Sequence, residues 1–193
     1  LMDSRSEATS PSALREKCGV FGVYAPGEDV ARLTFFGLHA LQHRGQESAG
    51  IATTDGTRIH HFTSMGLVSQ IFDEAALSGL RGFAAIGHTR YSTTGSSVVR
   101  NAQPLLVDGH AGVLAIAHNG NVVNADLLRA DLESRGVQFE TSTDSEVLAA
   151  LAANAPGETW EQRLEVMMRR ANGAYSLALL TTTALYGIRD PNG

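Results

Sequence analysis

The apolar positions of this chain change period several times, and each change marks an element. Residues 18–25, CGVFGVYA, are rich in Val and aromatic residues and stop at Pro26-Gly27, which predicts a strand. Across 28–41 the apolar residues Val30, Leu33, Phe35 or Phe36, Leu38 and Leu41 recur at helical spacing behind acidic residues, which predicts a helix. Residues 51–63 read as two strands around Asp55-Gly56, because Asp-Gly between apolar runs suits a tight hairpin turn. Residues 65–80 read as short helical pieces and 83–91 as another strand. The following STTGSSVVRN is rich in Ser, Thr and Gly, packs poorly and suits a loop or mobile lid.

A short buried strand is expected at 112–118, ending at Asn119-Gly120. An amphipathic helix follows over 124–135 with Gly136 as its C-terminal cap, then helices over 145–154 and 158–171. Residues 175–182 and 184–188 form a final hairpin-like pair. Residues 1–17 mix charges with Ser and Pro and show no apolar period, as expected of a disordered tail. Strands thus cluster at both ends with helices between them, and the hairpin signals favour antiparallel pairing, an α+β layout. The ending GIRDPNG closes no element, as expected of a longer protein cut at a turn.

Composition narrows the class. The 193 residues favour one sizeable domain, and 43% hydrophobic with 18% charged residues can fill its core. A net charge of -5 argues against nucleic acid and anionic membrane as partners, and no apolar run reaches the roughly 20 residues of a membrane span. The polar N-terminus is no secretory signal, so a cytoplasmic location is expected. One cysteine excludes an intrachain disulfide.

That cysteine, Cys18, stands where the polar tail meets the first strand. It reads either as a small buried hydrophobe or as a nucleophile. An unperturbed thiol has a pKa of about 8.5 and needs a base, either a histidine or its own α-amine once residues 1–17 are removed. Arg90, at a strand end, could grip a carboxylate bidentately or be a surface arginine. Asn119 and Gly120 could supply a side-chain and a backbone N–H to an oxyanion, or form a plain Asn-Gly turn. Asp144 could hold a substrate ammonium or serve only as an N-cap. His39 and His43 share a helical spacing but have no third ligand nearby, and His60-His61 alternate sides of a strand. His88 and His118 end strands near the suspected site and could support it from behind.

Taken in order, CGVFG (18–22), LQHRGQESAG (41–50), GHTRYSTTG (87–95), NAQP (101–104), HNGN (118–121) and TSTDSEV (141–147) form one series. From residue 18 onward it resembles the class II glutamine amidotransferase domain of the amidophosphoribosyltransferase family, which opens purine synthesis. Glucosamine-6-phosphate synthase shares Cys-Gly and Asn-Gly but departs from HRGQESAG and RYST; its glutaminase half, or an unprocessed and silent fragment, stands as the alternative.

The resemblance implies a four-layer αββα sandwich of the N-terminal-nucleophile hydrolase type. It implies Cys18 as nucleophile with its freed α-amine as base, and Asn119 and Gly120 as the oxyanion hole. Arg90 would bind the carboxylate of glutamine, Asp144 its α-amino group, and Gly45 would line the pocket through its backbone. Segment 90–104 would close over the substrate. It further implies that 1–17 is a cleaved propeptide and that 18–193 is the glutaminase domain. A phosphoribosyltransferase domain, absent here, would use phosphoribosyl pyrophosphate with magnesium, carry a 4Fe-4S cluster in some members, and assemble as a homo-oligomer. No cofactor is expected in this chain itself.

Overall fold

A computed structural model describes residues 18–91 and 98–191. The expected propeptide and residues 92–97 of the expected lid lie outside the described residues. Two four-stranded antiparallel sheets organise the rest. The first has the order β1 (Gly19–Tyr24), β4 (Ala84–Arg90), β2 (Ser48–Thr54), β3 (Ile59–Met65). The second runs β5 (Leu105–Gly109), β6 (Gly112–Val122), β7 (Gly173–Leu180), β8 (Leu185–Arg189). Each sheet is built from one continuous half of the described chain. The expectation of strands at the two ends with helices between therefore fails: the mid-chain pair β5 and β6 carries half of the second sheet.

Strand alternation gives each sheet two apolar faces. In β6, Leu114 and Ile116 face the helices while Ala115 and Ala117 face the other sheet; in β7, Leu177 and Leu179 do the former and Ala178 and Leu180 the latter. The layer between the sheets is filled mostly by small side chains, with Ala52, Ala84 and Ile86 answering Ala115, Ala117 and Ala178. Small residues let two sheets approach closely without leaving voids.

Helices cover the outer faces. On the first sheet lie α1 (Val30–Ala40), α2 (Val68–Ile71) and α3 (Glu74–Gly79), packed through Leu38, Ile51, Val68 and Phe72. Asp29 caps α1 by accepting the Arg32 N–H at 3.0 Å. On the second sheet lie α4 (Ala125–Ser134), α5 (Asp144–Ala153) and α6 (Trp160–Arg170). Helix α5 is buried along its length because α4, α6 and the sheet enclose it, which explains its run of Ala and Leu with no polar face. The layers are helix, sheet, sheet, helix, the αββα sandwich of N-terminal-nucleophile hydrolases.

Candidate active site

The register of the first sheet brings two of the expected residues together. The β1–β4 ladder ends where Gly19 pairs with Thr89, and Cys18 and Arg90 are the next residues beyond that pair. On its other side Arg90 pairs with Ser48 of β2. Cys18 is half-buried, and its carbonyl accepts from Nε of Arg44 at 3.1 Å. Arg44 ends the 3-10 turn Gln42–Arg44 of the HRGQES segment. Gln42 staples that turn: its Nε2 donates to the Gly45 carbonyl, and its Oε1 accepts the Val68 N–H at 2.6 Å. Gly45 is buried flat on β4, where a Cβ would stand 2.6 Å from the Thr89 carbonyl carbon and 2.7 Å from the Arg90 nitrogen. Only glycine permits that approach.

The Arg90 side chain is 12% exposed. Nη1 donates to the Asn101 carbonyl at 2.9 Å, and Nε lies 3.9 Å from the carboxylate of Glu47. These contacts fix the guanidinium on one flank.

Asn119 and Gly120 come from the second sheet, and here the expectation needs correction. The Asn-Gly pair is neither a turn nor a strand end. Strand β6 runs on to Val122, with Asn119 paired to Ser176 and Gly120 to Tyr175. The early stop was inferred from turn propensity, which the β7 ladder overrides. Gly120 has φ +146, and a Cβ there would meet the Ala174 oxygen at 2.2 Å. The position therefore requires glycine on both counts.

Asp144 is not the N-cap of α5; Thr143 is, accepting the Glu146 N–H at 3.3 Å. Asp144 is instead the first helical residue. Its Oδ2 accepts the Val122 N–H of β6 at 3.0 Å, and Oδ1 lies 3.6 Å from Nδ1 of His118. Burial pushes its pKa up, but His118 and the amides of Val122 and Ser145 outweigh that and hold the carboxyl below its ordinary value. The TSTD loop before it is organised by Glu146, which accepts from the Glu140 and Thr141 amides at 2.7 Å each and from the Thr141 hydroxyl at 2.6 Å.

His88 ties the two groups of residues together. It sits on β4 two residues before Arg90, and its Nε2 donates to the carbonyl of His118 at 3.0 Å, next to Asn119. A carbonyl only accepts, so the proton is on Nε2. Burial first, then neighbouring positive groups, lower the His88 pKa to about 3, and the ring is neutral at ordinary pH. The His88–His118 contact links β4, which ends at Arg90, to His118 of β6, with Asn119 next in that strand and Asp144 of α5 3.6 Å from the His118 ring.

Three contributors were not singled out from the sequence: Arg44, Gln103 and Ser145. Each lies inside a quoted motif, HRGQES, NAQP or TSTDSEV, so their only signal is that company. His43, His60 and His61 make local structural contacts. His43 lies beyond the end of α1, with Nδ1 3.1 Å from the Ala40 carbonyl, so it does not form a helical pair with His39. His60 contacts Asp55 at 2.8 Å and His61 donates to the Pro104 carbonyl at 2.6 Å. Among the described residues no three His, Cys, Asp or Glu side chains group as metal ligands, and no helix is long and apolar enough to cross a membrane.

Comparison with known proteins identifies the family. The family described as the glutamine amidotransferase domain matches residues 88–193. The amidophosphoribosyltransferase of Synechococcus elongatus is 54% identical over 185 residues, 95% of this chain and 38% of its own length. That of Mycobacterium tuberculosis is 49% identical over 186 residues, 93% of this chain and 35% of its own. The solved glutamine phosphoribosylpyrophosphate amidotransferase of B. subtilis superposes with a TM-score of 0.82 at 41% identity, covering 90% of this chain and 37% of that one. The chain thus spans a little over a third of the length of these relatives. It belongs to the glutamine amidotransferase domain family, in the form that amidophosphoribosyltransferases carry.

Proposed function

We propose that this chain hydrolyses glutamine to glutamate and ammonia, with Cys18 as nucleophile after removal of residues 1–17. The observation that carries this reading is the register of β1 and β4, whose ladder ends at Gly19 and Thr89 and so leaves their neighbours Cys18 and Arg90 at the same end of the sheet. The family membership supports it.

With Cys18 at the N-terminus, its α-amine takes the thiol proton, since an unperturbed α-amine titrates at about 7.7 to 8.0. The sulfur attacks the amide carbon, and the oxygen takes up the negative charge. The Asn119 side chain and the Gly120 N–H stabilise that oxyanion. The C–N bond breaks as the leaving nitrogen accepts a proton, releasing ammonia and leaving a γ-glutamyl thioester. Water then attacks the thioester, giving glutamate and returning the thiol. Arg90 holds the α-carboxylate, Asp144 the α-ammonium, and the backbone at Gly45 forms a wall of the pocket. Segment 90–104 covers the bound substrate.

In the longer enzyme the ammonia would displace pyrophosphate from phosphoribosyl pyrophosphate, in the cytoplasm and within a homo-oligomer. Magnesium and any iron–sulfur cluster would be held by the part outside this chain.

The test is glutamate release by protein beginning at Cys18. Release is expected there, and none from Cys18→Ala or from protein that keeps residues 1–17. Activity in Cys18→Ala, or no glutamate from folded protein with Cys18 at its N-terminus, refutes the reading.

A further inference from the structure

Gln103, Ser145 and His118 close a triangle of contacts that the chemistry above does not use. The Oε1 of Gln103 accepts the backbone N–H of His118 at 2.7 Å, and its Nε2 donates to the hydroxyl of Ser145 at 2.9 Å. That hydroxyl lies 2.9 Å from Nδ1 of His118, which closes the figure. All three residues are buried. Each comes from a different part of the fold: Gln103 from the segment before β5, His118 from β6, and Ser145 from the first turn of α5.

The triangle acts on one carboxylate. Asp144 precedes Ser145, and its Oδ1 faces the same Nδ1 of His118 at 3.6 Å. Its other oxygen is held by the Val122 N–H. A carboxylate offers about four acceptor directions, so two protein contacts leave room for an ammonium ligand. One contact alone would leave the group free to rotate about its last torsion. The second requires an imidazole whose plane is set, and Ser145, itself held by Gln103, sets it. Surrounding groups that fix a binding side chain in this way decide whether its geometry is productive.

We infer that Gln103, Ser145 and His118 are positioning residues that aim the Asp144 carboxylate at the α-ammonium of the substrate, and so set preference for an α-amino acid amide over the same amide without its amino group. The inference rests on the proposed glutaminase reading and adds the source of that selectivity.

The test compares kcat/KM for glutamine with that for the monoamide of glutaric acid, which is glutamine lacking the α-amino group, using protein that begins at Cys18. The unaltered protein prefers glutamine. His118→Leu and Ser145→Ala each reduce that preference several-fold, as a less well aimed carboxylate loses part of its hold on the ammonium, mainly through KM for glutamine. His118→Asn, which keeps a donor near the place of Nδ1, restores most of it. In an Asp144→Asn background His118→Leu changes the preference no further, because the group it aims is gone.

A folded His118→Leu protein with unaltered preference overturns the inference, as does a full additive loss in the Asp144→Asn background. If His118→Leu does not fold, Ser145→Ala carries the comparison on the same terms, since it removes a single buried oxygen. Unaltered protein that cleaves neither amide refutes the glutaminase reading instead, and the two failures are thereby distinct.

Discussion

Nη1 of Arg90 donates to the carbonyl of Asn101 at 2.9 Å, spanning the segment that leads from β4 to the NAQP turn. The bond occupies one guanidinium nitrogen beside Glu47, and the proposed substrate carboxylate would need the others. Lysine cannot serve both partners with a planar fork. Arg90→Lys should therefore lower kcat/KM for glutamine by about a hundredfold, chiefly as a higher KM, in steady-state assays. A change in kcat alone would speak against carboxylate binding at this position.

Gly120→Ala should destabilise the domain by about 3 kcal/mol in denaturant unfolding, because a Cβ would meet the Ala174 oxygen at 2.2 Å. The strand must shift to relieve that contact, carrying the Asn119 neighbour with it. Glutaminase activity should fall by more than the loss of folded protein explains.

The layer between the sheets tolerates little added volume. Ala117→Leu should cost about 1 to 3 kcal/mol, measured as a lower unfolding midpoint. It lies next to His118, whose carbonyl takes the His88 bond across the sheets, so parting the sheets should also cost activity. Unchanged stability would mean that the layer is looser than its small residues imply.

His88 makes stability depend on pH with a definite sign. Its ring titrates near about 3 when folded and near the ordinary value of 6.5 when unfolded. The unfolded chain binds the extra proton, so this stabilisation is complete above about pH 6.5 and is lost as pH falls toward the folded value. Partial burial shifts His61 in the same direction. Unfolding free energy measured from pH 6.5 to 5 should fall with acid, with the His88 contribution approaching about 1.4 kcal/mol per pH unit. His88→Gln should make that slope shallower.

Much of this was legible in the chain, for reasons that differ by element. Helices α1, α4 and α6 announced themselves through one apolar stripe, and β2 and β3 through Asp55-Gly56 at their turn. Strand β5 escaped because LLVDG is short and lies beside the Ser- and Gly-rich stretch. Strand β6 was cut short because Asn-Gly has strong turn propensity, and only the β7 ladder shows that it stays extended. The places of Cys18, Arg90, Asn119 and Asp144 along the chain were readable from ordered motifs. Their joining was not: the His88–His118 contact spans two sheets, and no local pattern encodes a bond across that distance.

The division of the candidate groups between two sheets has a consequence for the nascent protein. Cys18 and Arg90 come from the earlier half of the chain, Asn119, Gly120 and Asp144 from the later half. A ribosome that has released only the first sheet has made a thiol with nothing to aim it. On the proposed reading, docking of the two halves is one requirement for glutamine hydrolysis and release of the Cys18 α-amine is the other, so a nascent first sheet leaves glutamine intact.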